Sequence, residues 1–97
     1  MTNIERLERS IARELTRLIP QLKDPRVPLI VTVEETRLSK DGRSAKVLVS
    51  TLNEEDQSEM IDALNNASGY LQRELAKDVE LKFTPRLSFT TSWSDLL

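Results

Sequence analysis

Over residues 3 to 19 the apolar positions recur at helical spacing. At about 100° per residue, Ile4, Leu7, Ile11, Leu15 and Leu18 fall on one face. Arg6, Arg9, Arg13 and Arg17 fall together on the opposite face. Asn3 is a candidate cap for this helix, and Pro20 marks its stop. The connector that follows, Gln21 to Pro28, carries Pro25 and Pro28, which exclude regular helix. The pattern then changes to a period of two. Leu29 to Leu38 and Ser44 to Leu52 read as strands joined by Ser39-Lys40-Asp41-Gly42-Arg43, with Asp41-Gly42 as a hairpin signal. In the second strand Ala45, Val47 and Val49 alternate with Lys46 and Ser50. In the first, Val31 and Val33 have one parity and Thr36 and Leu38 the other. A β-bulge near Glu34-Glu35 brings all four to one face.

Asn53 to Asp56 supplies caps and negative charge for a helix from about Asp56 to Ala67, which continues from about Gly69 to Lys77. Gly69 is one of two glycines in the chain. Inside a helix it costs about 1 kcal/mol against alanine, so the sequence predicts a break at Ala67-Ser68-Gly69. If the two halves stay in phase, Met60, Leu64, Ala67, Leu71 and Leu75 face inward, while Asn66, Gly69, Arg73 and Lys77 face outward. Leu81, Phe83, Leu87 and Phe89 alternate in a last strand from about Glu80 to Thr91. Pro85, which cannot donate to a ladder, marks an edge or an irregularity there. The order is helix, strand, strand, helix, helix, strand: an α+β fold in a single domain spanning residues 1–97.

Composition narrows the chemistry. The 97 residues contain no cysteine and no histidine, which removes disulfides, thiolate metal sites and the commonest acid–base group. The polar N-terminus is unlike a secretory signal, and no apolar run approaches a membrane span. The chain reads as a soluble, cytoplasmic protein without a membrane partner. Its net charge is −2, so any phosphate-binding surface has to be a local patch rather than a general coating.

The arginine stripe is one such patch, since several arginines on a rigid face can meet several phosphates and release counterions; a solvated helix face is the plainer reading. The junction is another. A break at Gly69 frees N–H groups at the start of the second half-helix, and Arg73 and Lys77 stand beside it; a packing bend is the plainer reading there. Lys40, Arg43 and Lys46 around the hairpin are secondary candidates. The acidic run Glu54, Glu55, Asp56, Glu59 and Asp62 lacks the pattern of a calcium loop and fits helix-dipole complementation. Ser39, Ser50 and Ser68 have no histidine to activate them. Trp93 suits packing over the sheet better than stacking on a base. The sequence predicts no catalytic residues, no metal site and no cofactor.

Several short segments together resemble the ribosome-binding factor A family. They are Lys23-Asp24-Pro25-Arg26, Val31-Thr32-Val33, Ser39-Lys40-Asp41, Ala45-Lys46-Val47 with Val49, Ala67-Ser68-Gly69, and Leu81 through Phe89. Their order and spacing carry the resemblance. It implies a KH-like fold of type II order, in which an interrupted helix, here Ala67-Ser68-Gly69, replaces the GxxG loop that clamps single strands in ordinary KH domains. It also implies a non-catalytic factor that binds the immature small (30S) subunit and its 16S ribosomal RNA late in assembly, with a role in 5′-end processing and cold adaptation. The chain departs from the family pattern in its acidic balance, in Ser92 where members often have aspartate, and in Gly42 where an aliphatic residue is common. It also ends at Leu97, where many members continue, so contacts of a longer tail are not carried over.

The residues expected to meet RNA are therefore Arg6, Arg9, Arg13, Arg17, Asn66, Ala67, Ser68, Gly69, Arg73 and Lys77, with Lys40, Arg43 and Lys46 behind them. The protein is expected to act as a monomer. Two other classes compete: a KH-like module for single-stranded nucleic acid outside ribosome assembly, and a protein–protein adaptor.

Overall fold

The computed structural model describes residues 4–96. Helix α1 (Ile4–Leu18) runs into a 3-10 turn at Ile19–Gln21 and is followed by strands β1 (Thr32–Leu38) and β2 (Ser44–Ser50). Helices α2 (Gln57–Asn66) and α3 (Ser68–Asp78) come next, then β3 (Arg86–Thr90). This is the α-β-β-α-α-β order read from the sequence. The expected Asn3 cap lies outside the described residues.

The strands form one sheet in the order β1-β2-β3, with β2 central, antiparallel to β1 and parallel to β3. The inward residues of β2 sit level with those of β3, Ala45 beside Leu87 and Val47 beside Phe89. The bulge expected in β1 is present. Pairing steps from Val33–Val49 to Glu35–Leu48, leaving Glu34 as the extra residue. Its carboxylate accepts a 2.6 Å hydrogen bond from the Ser50 hydroxyl. The parity change sets Thr36 and Leu38 on the same side as Val33.

The helices cover one face of the sheet. Ile11, Leu15 and Leu18 from α1, Met60 and Leu64 from α2, and Leu71 and Leu75 from α3 are all buried with Ala45, Val47, Val49, Leu87 and Phe89. These helical positions are the inward series of the sequence pattern, so burial of an amphipathic face holds the helices to the sheet.

The hairpin turn is built as its sequence predicts. Gly42 has φ +75° and is, among the described residues, the one position with a positive φ. The Asp41 carboxylate accepts the Ser39 hydroxyl at 2.7 Å and the Arg43 N–H at 3.0 Å. Those two bonds, followed by the Arg43 charge, hold the Asp41 pKa below its usual value.

Two expectations are corrected. The first strand begins at Thr32 rather than Leu29, because Pro28 and the turn before it keep the chain off the ladder; Leu29 is 97% exposed. The last strand begins at Arg86 rather than Glu80. Pro85 is buried just before the strand, where its missing N–H costs no ladder bond. Leu81 nevertheless packs against the core from the loop.

Both edges of the sheet are closed by helix side chains. On the β3 edge the Leu87 N–H donates to Gln72 Oε1 at 3.1 Å, and the Phe89 N–H donates to Asn65 Oδ1 at 3.0 Å. On the β1 edge the Leu38 N–H donates to Glu8 Oε2 at 2.8 Å. These bonds satisfy donors that would otherwise invite another strand.

Candidate nucleic-acid interface

The helix interruption is narrower than the sequence suggested. One residue, Ala67 (φ −88°, ψ 1°), separates α2 from α3, while Ser68 and Gly69 already belong to α3. The Ala67 N–H closes α2 by donating to the carbonyls of Ala63 and Leu64 at 3.0 and 3.1 Å. The first backbone bond of α3 runs from Leu71 N to Ala67 O at 2.9 Å. The N–H groups of Ser68, Gly69 and Tyr70 precede that bond and form the positive end of the α3 dipole.

Neither a strained backbone nor a neighbouring core atom requires glycine at position 69. Gly69 is exposed, and a Cβ there would meet only Arg73 Nη1, at 3.6 Å. The Arg73 guanidinium thus lies back over Gly69 in the first turn of α3. Tyr70, 41% exposed, stands next to Gly69. It was not among the expected site residues; its position directly after an Ala-x-Gly break was the signal available.

Asn66, Gly69, Arg73 and Lys77 are all exposed, on the side opposite the buried Met60, Leu64, Leu71 and Leu75. Ala67 and Ser68 are half-buried. Lys77 is not free: its ammonium lies 2.9 Å from Glu74 Oε2, and this pairing raises its pKa.

The arginine stripe is divided by its surroundings. Arg17 makes a bidentate bond to Glu14 at 3.0 and 2.9 Å and reaches Asp78 Oδ2 at 2.9 Å, tying the end of α1 to the end of α3. The Arg17 hydrogen bond holds the Glu14 carboxyl below its usual range. Arg6 and Arg13 line a depression shared with Asp78 and Glu80. Arg9 opens on a different one, with Glu5, Glu8, Glu34 and Glu35. Nor does the structure bring the whole stripe to the kink. Arg17 meets the last residue of α3, and at 1.5 Å rise per residue the two ends of α3 lie about 15 Å apart.

At the hairpin, Lys40 is exposed in the turn. Lys46 lies on the sheet face away from the helices, beside Arg37 and Ser88. Arg43 is held over the Phe83 ring, with its guanidinium carbon 4.2 Å from the ring centroid. Trp93, expected to pack over the sheet, is 57% exposed instead, in a short 3-10 turn whose neighbour Asp95 is fixed by the Thr90 hydroxyl. Among the described residues no cluster of carboxylates could hold a metal ion, and no helix is long and apolar enough to cross a membrane.

Comparison with known proteins gives consistent results. A family model described as ribosome-binding factor A matches residues 3–94. Ribosome-binding factor A of Acetivibrio thermocellus is 37% identical over 91 residues, covering 92% of this chain and 74% of its own. The crystal structure of ribosome-binding factor A from Thermus thermophilus superposes with a TM-score of 0.82 at 37% identity, covering 92% of this chain and 96% of that one. A homology model of the Thermus thermophilus factor, fitted into a cryo-EM map of a 30S complex with it, superposes with a TM-score of 0.73 at 38% identity. That match covers 87% of this chain and 89% of the other.

Proposed function

Because the chain belongs to the ribosome-binding factor A family, we propose that it is a non-catalytic assembly factor that binds the small ribosomal subunit during late maturation. Its ligand is the subunit's 16S ribosomal RNA, which it meets in the cytoplasm, and its role extends to 5′-end processing and cold adaptation. The kink carries this reading. The first turn of α3 carries there the N–H groups of Ser68, Gly69 and Tyr70, an exposed glycine without a side chain, and the Arg73 guanidinium lying against that glycine. That combination suits a phosphate approaching the backbone closely. It is too short to clamp four nucleotides of a single strand as a GxxG loop does, which favours folded RNA over oligonucleotides. The known 30S complex of a similar protein supports the choice of partner.

Arg6 and Arg13 form a separate flank of the surface beside Asp78 and Glu80, whereas Arg17 ties α1 to α3 and Lys77 is paired with Glu74 within α3. The test is sedimentation of cell extracts through a sucrose gradient. The protein should travel with free small subunits and their precursors and be absent from assembled ribosomes. Co-migration with assembled ribosomes, or migration with no subunit at all, rejects the proposal.

A further inference from the structure

A second basic site lies beside the kink, made by residues that the arginine stripe and the kink do not include. Arg43, Ser44, Gln72, Phe83, Thr84 and Arg86 line an open depression of about 620 Å³ to which no carboxylate contributes. The strands fix its geometry. Ser44 is level with Arg86 in the parallel ladder, and the Arg86 N–H donates to the Arg43 carbonyl at 2.8 Å. Phe83 is half-buried between two cations, with Arg43 Cζ at 4.2 Å and Lys82 Nζ at 5.6 Å from the ring centroid. Among the described residues Arg43, Lys82 and Arg86 form no ion pair within 4 Å. The nearby Asp41 carboxylate is turned into the hairpin, where it accepts the Ser39 hydroxyl and the Arg43 N–H.

Arg43 and Arg86 line the depression and Lys82 stands by its ring, three exposed cations without an ion-pair partner among the described residues in a chain of net charge −2. Their mutual repulsion falls when an anion enters, and the phenyl ring holds Arg43 at a fixed position before it does. Gln72 adds a neutral donor. Its Oε1 is engaged by the Leu87 N–H, while its amide nitrogen makes no hydrogen bond among the described residues. Gln72 also follows Gly69 by three residues, about 4.5 Å along the helix axis. One polyanionic chain can therefore reach from the kink to this depression.

We propose that Arg43, Phe83, Arg86 and Gln72 form a phosphate-binding cradle for ribosomal RNA, adjoining the kink and separate from it. The proposal rests on the reading of the chain as a small-subunit RNA binder. The experiment measures binding to purified immature small subunits across a salt series, for the wild-type chain, Arg43→Gln/Arg86→Gln, Phe83→Leu and Arg73→Gln, with circular dichroism as the check on folding. The double variant should lose about tenfold in affinity near 100 mM salt, and its slope of log K against log salt should shrink by about 1.5. Phe83→Leu, with charge unchanged, should weaken binding about two- to fivefold and leave the slope intact. If the double variant does not fold, the two single glutamine substitutions carry the same test at about half the slope change.

Wild-type affinity and slope in the arginine variants, with Arg73→Gln weakened, overturn the cradle and leave the small-subunit reading standing. Failure of the wild-type chain to bind subunits overturns both. A photo-crosslinker at Thr84 should attach to RNA; attachment to ribosomal protein alone overturns the cradle.

Discussion

Gly69→Ala separates the two roles a glycine can have at the kink, because the structure predicts opposite signs for stability and binding. Gly69 sits in the first turn of α3 with negative φ, so alanine adopts the same backbone. The added Cβ meets one atom, the flexible end of Arg73, at 3.6 Å, an ordinary van der Waals distance. Nothing in the folded state opposes the substitution, and the unfolded state loses conformational freedom. The helix should gain about 0.5–1 kcal/mol. At about 4–8 °C per kcal/mol for a domain of this size, Tm should rise by about 2–8 °C. If a phosphate approaches the α3 backbone at Gly69, the methyl group stands in its path and affinity for immature subunits should fall. Urea unfolding with an unchanged m-value gives the first number, and subunit binding at fixed salt gives the second. A loss of stability refutes the packing argument. A stabilised variant that binds like the wild type refutes the close approach.

Asn65→Ala leaves the Phe89 N–H on the β3 edge without its acceptor, at a cost of about 1–3 kcal/mol; urea midpoints should show it, and Asn65→Asp, which keeps an acceptor, should lose less. Asp24 accepts the Arg26 guanidinium at 3.1 and 2.7 Å and the Arg26 N–H at 2.9 Å, which lower its pKa from 3.8 to about 2. A carboxyl depressed in the folded state stabilises the fold above its unfolded value, so this contribution is complete above about pH 4 and disappears between about pH 4 and 2. Carbon-13 titration should place Asp24 near 2, and Arg26→Gln should return it toward 3.8; a wild-type value already near 3.8 contradicts the pairing. Arg13→Gln should reduce the salt dependence of subunit binding. Arg17→Gln, which breaks the link between α1 and α3, should alter thermal stability more than that slope.

Much of the scaffold is legible because burial imposes a period. The inward positions of α1, α2 and α3 and the parity change across Glu34 follow from the need to put apolar groups on one side. The ends of elements were less legible. Leu81 and Phe83 alternate as a strand would, yet Pro85 lies between them and the ladder, so they contribute from a loop. The candidate site was legible residue by residue and not as a surface. Which carboxylates flank an arginine depends on tertiary neighbours: Asp78 and Glu80 come to α1 from the far end of α3, and Glu34 and Glu35 from β1. The Arg43–Phe83 contact joins residues 40 positions apart, and local spacing carries no trace of it. Asn65 and Gln72 read as ordinary polar helix positions until the strand edge they close is known.

Crosslinking at the kink probes the account most directly. With a benzophenone side chain in place of Tyr70, one residue from Gly69 and partly exposed, the protein bound to immature small subunits is irradiated and its partner identified. The kink as an RNA-contacting element predicts attachment to 16S ribosomal RNA, lost when the same probe is carried on the buried-face side of α3. Attachment only to ribosomal proteins, or none while the protein remains bound, contradicts it.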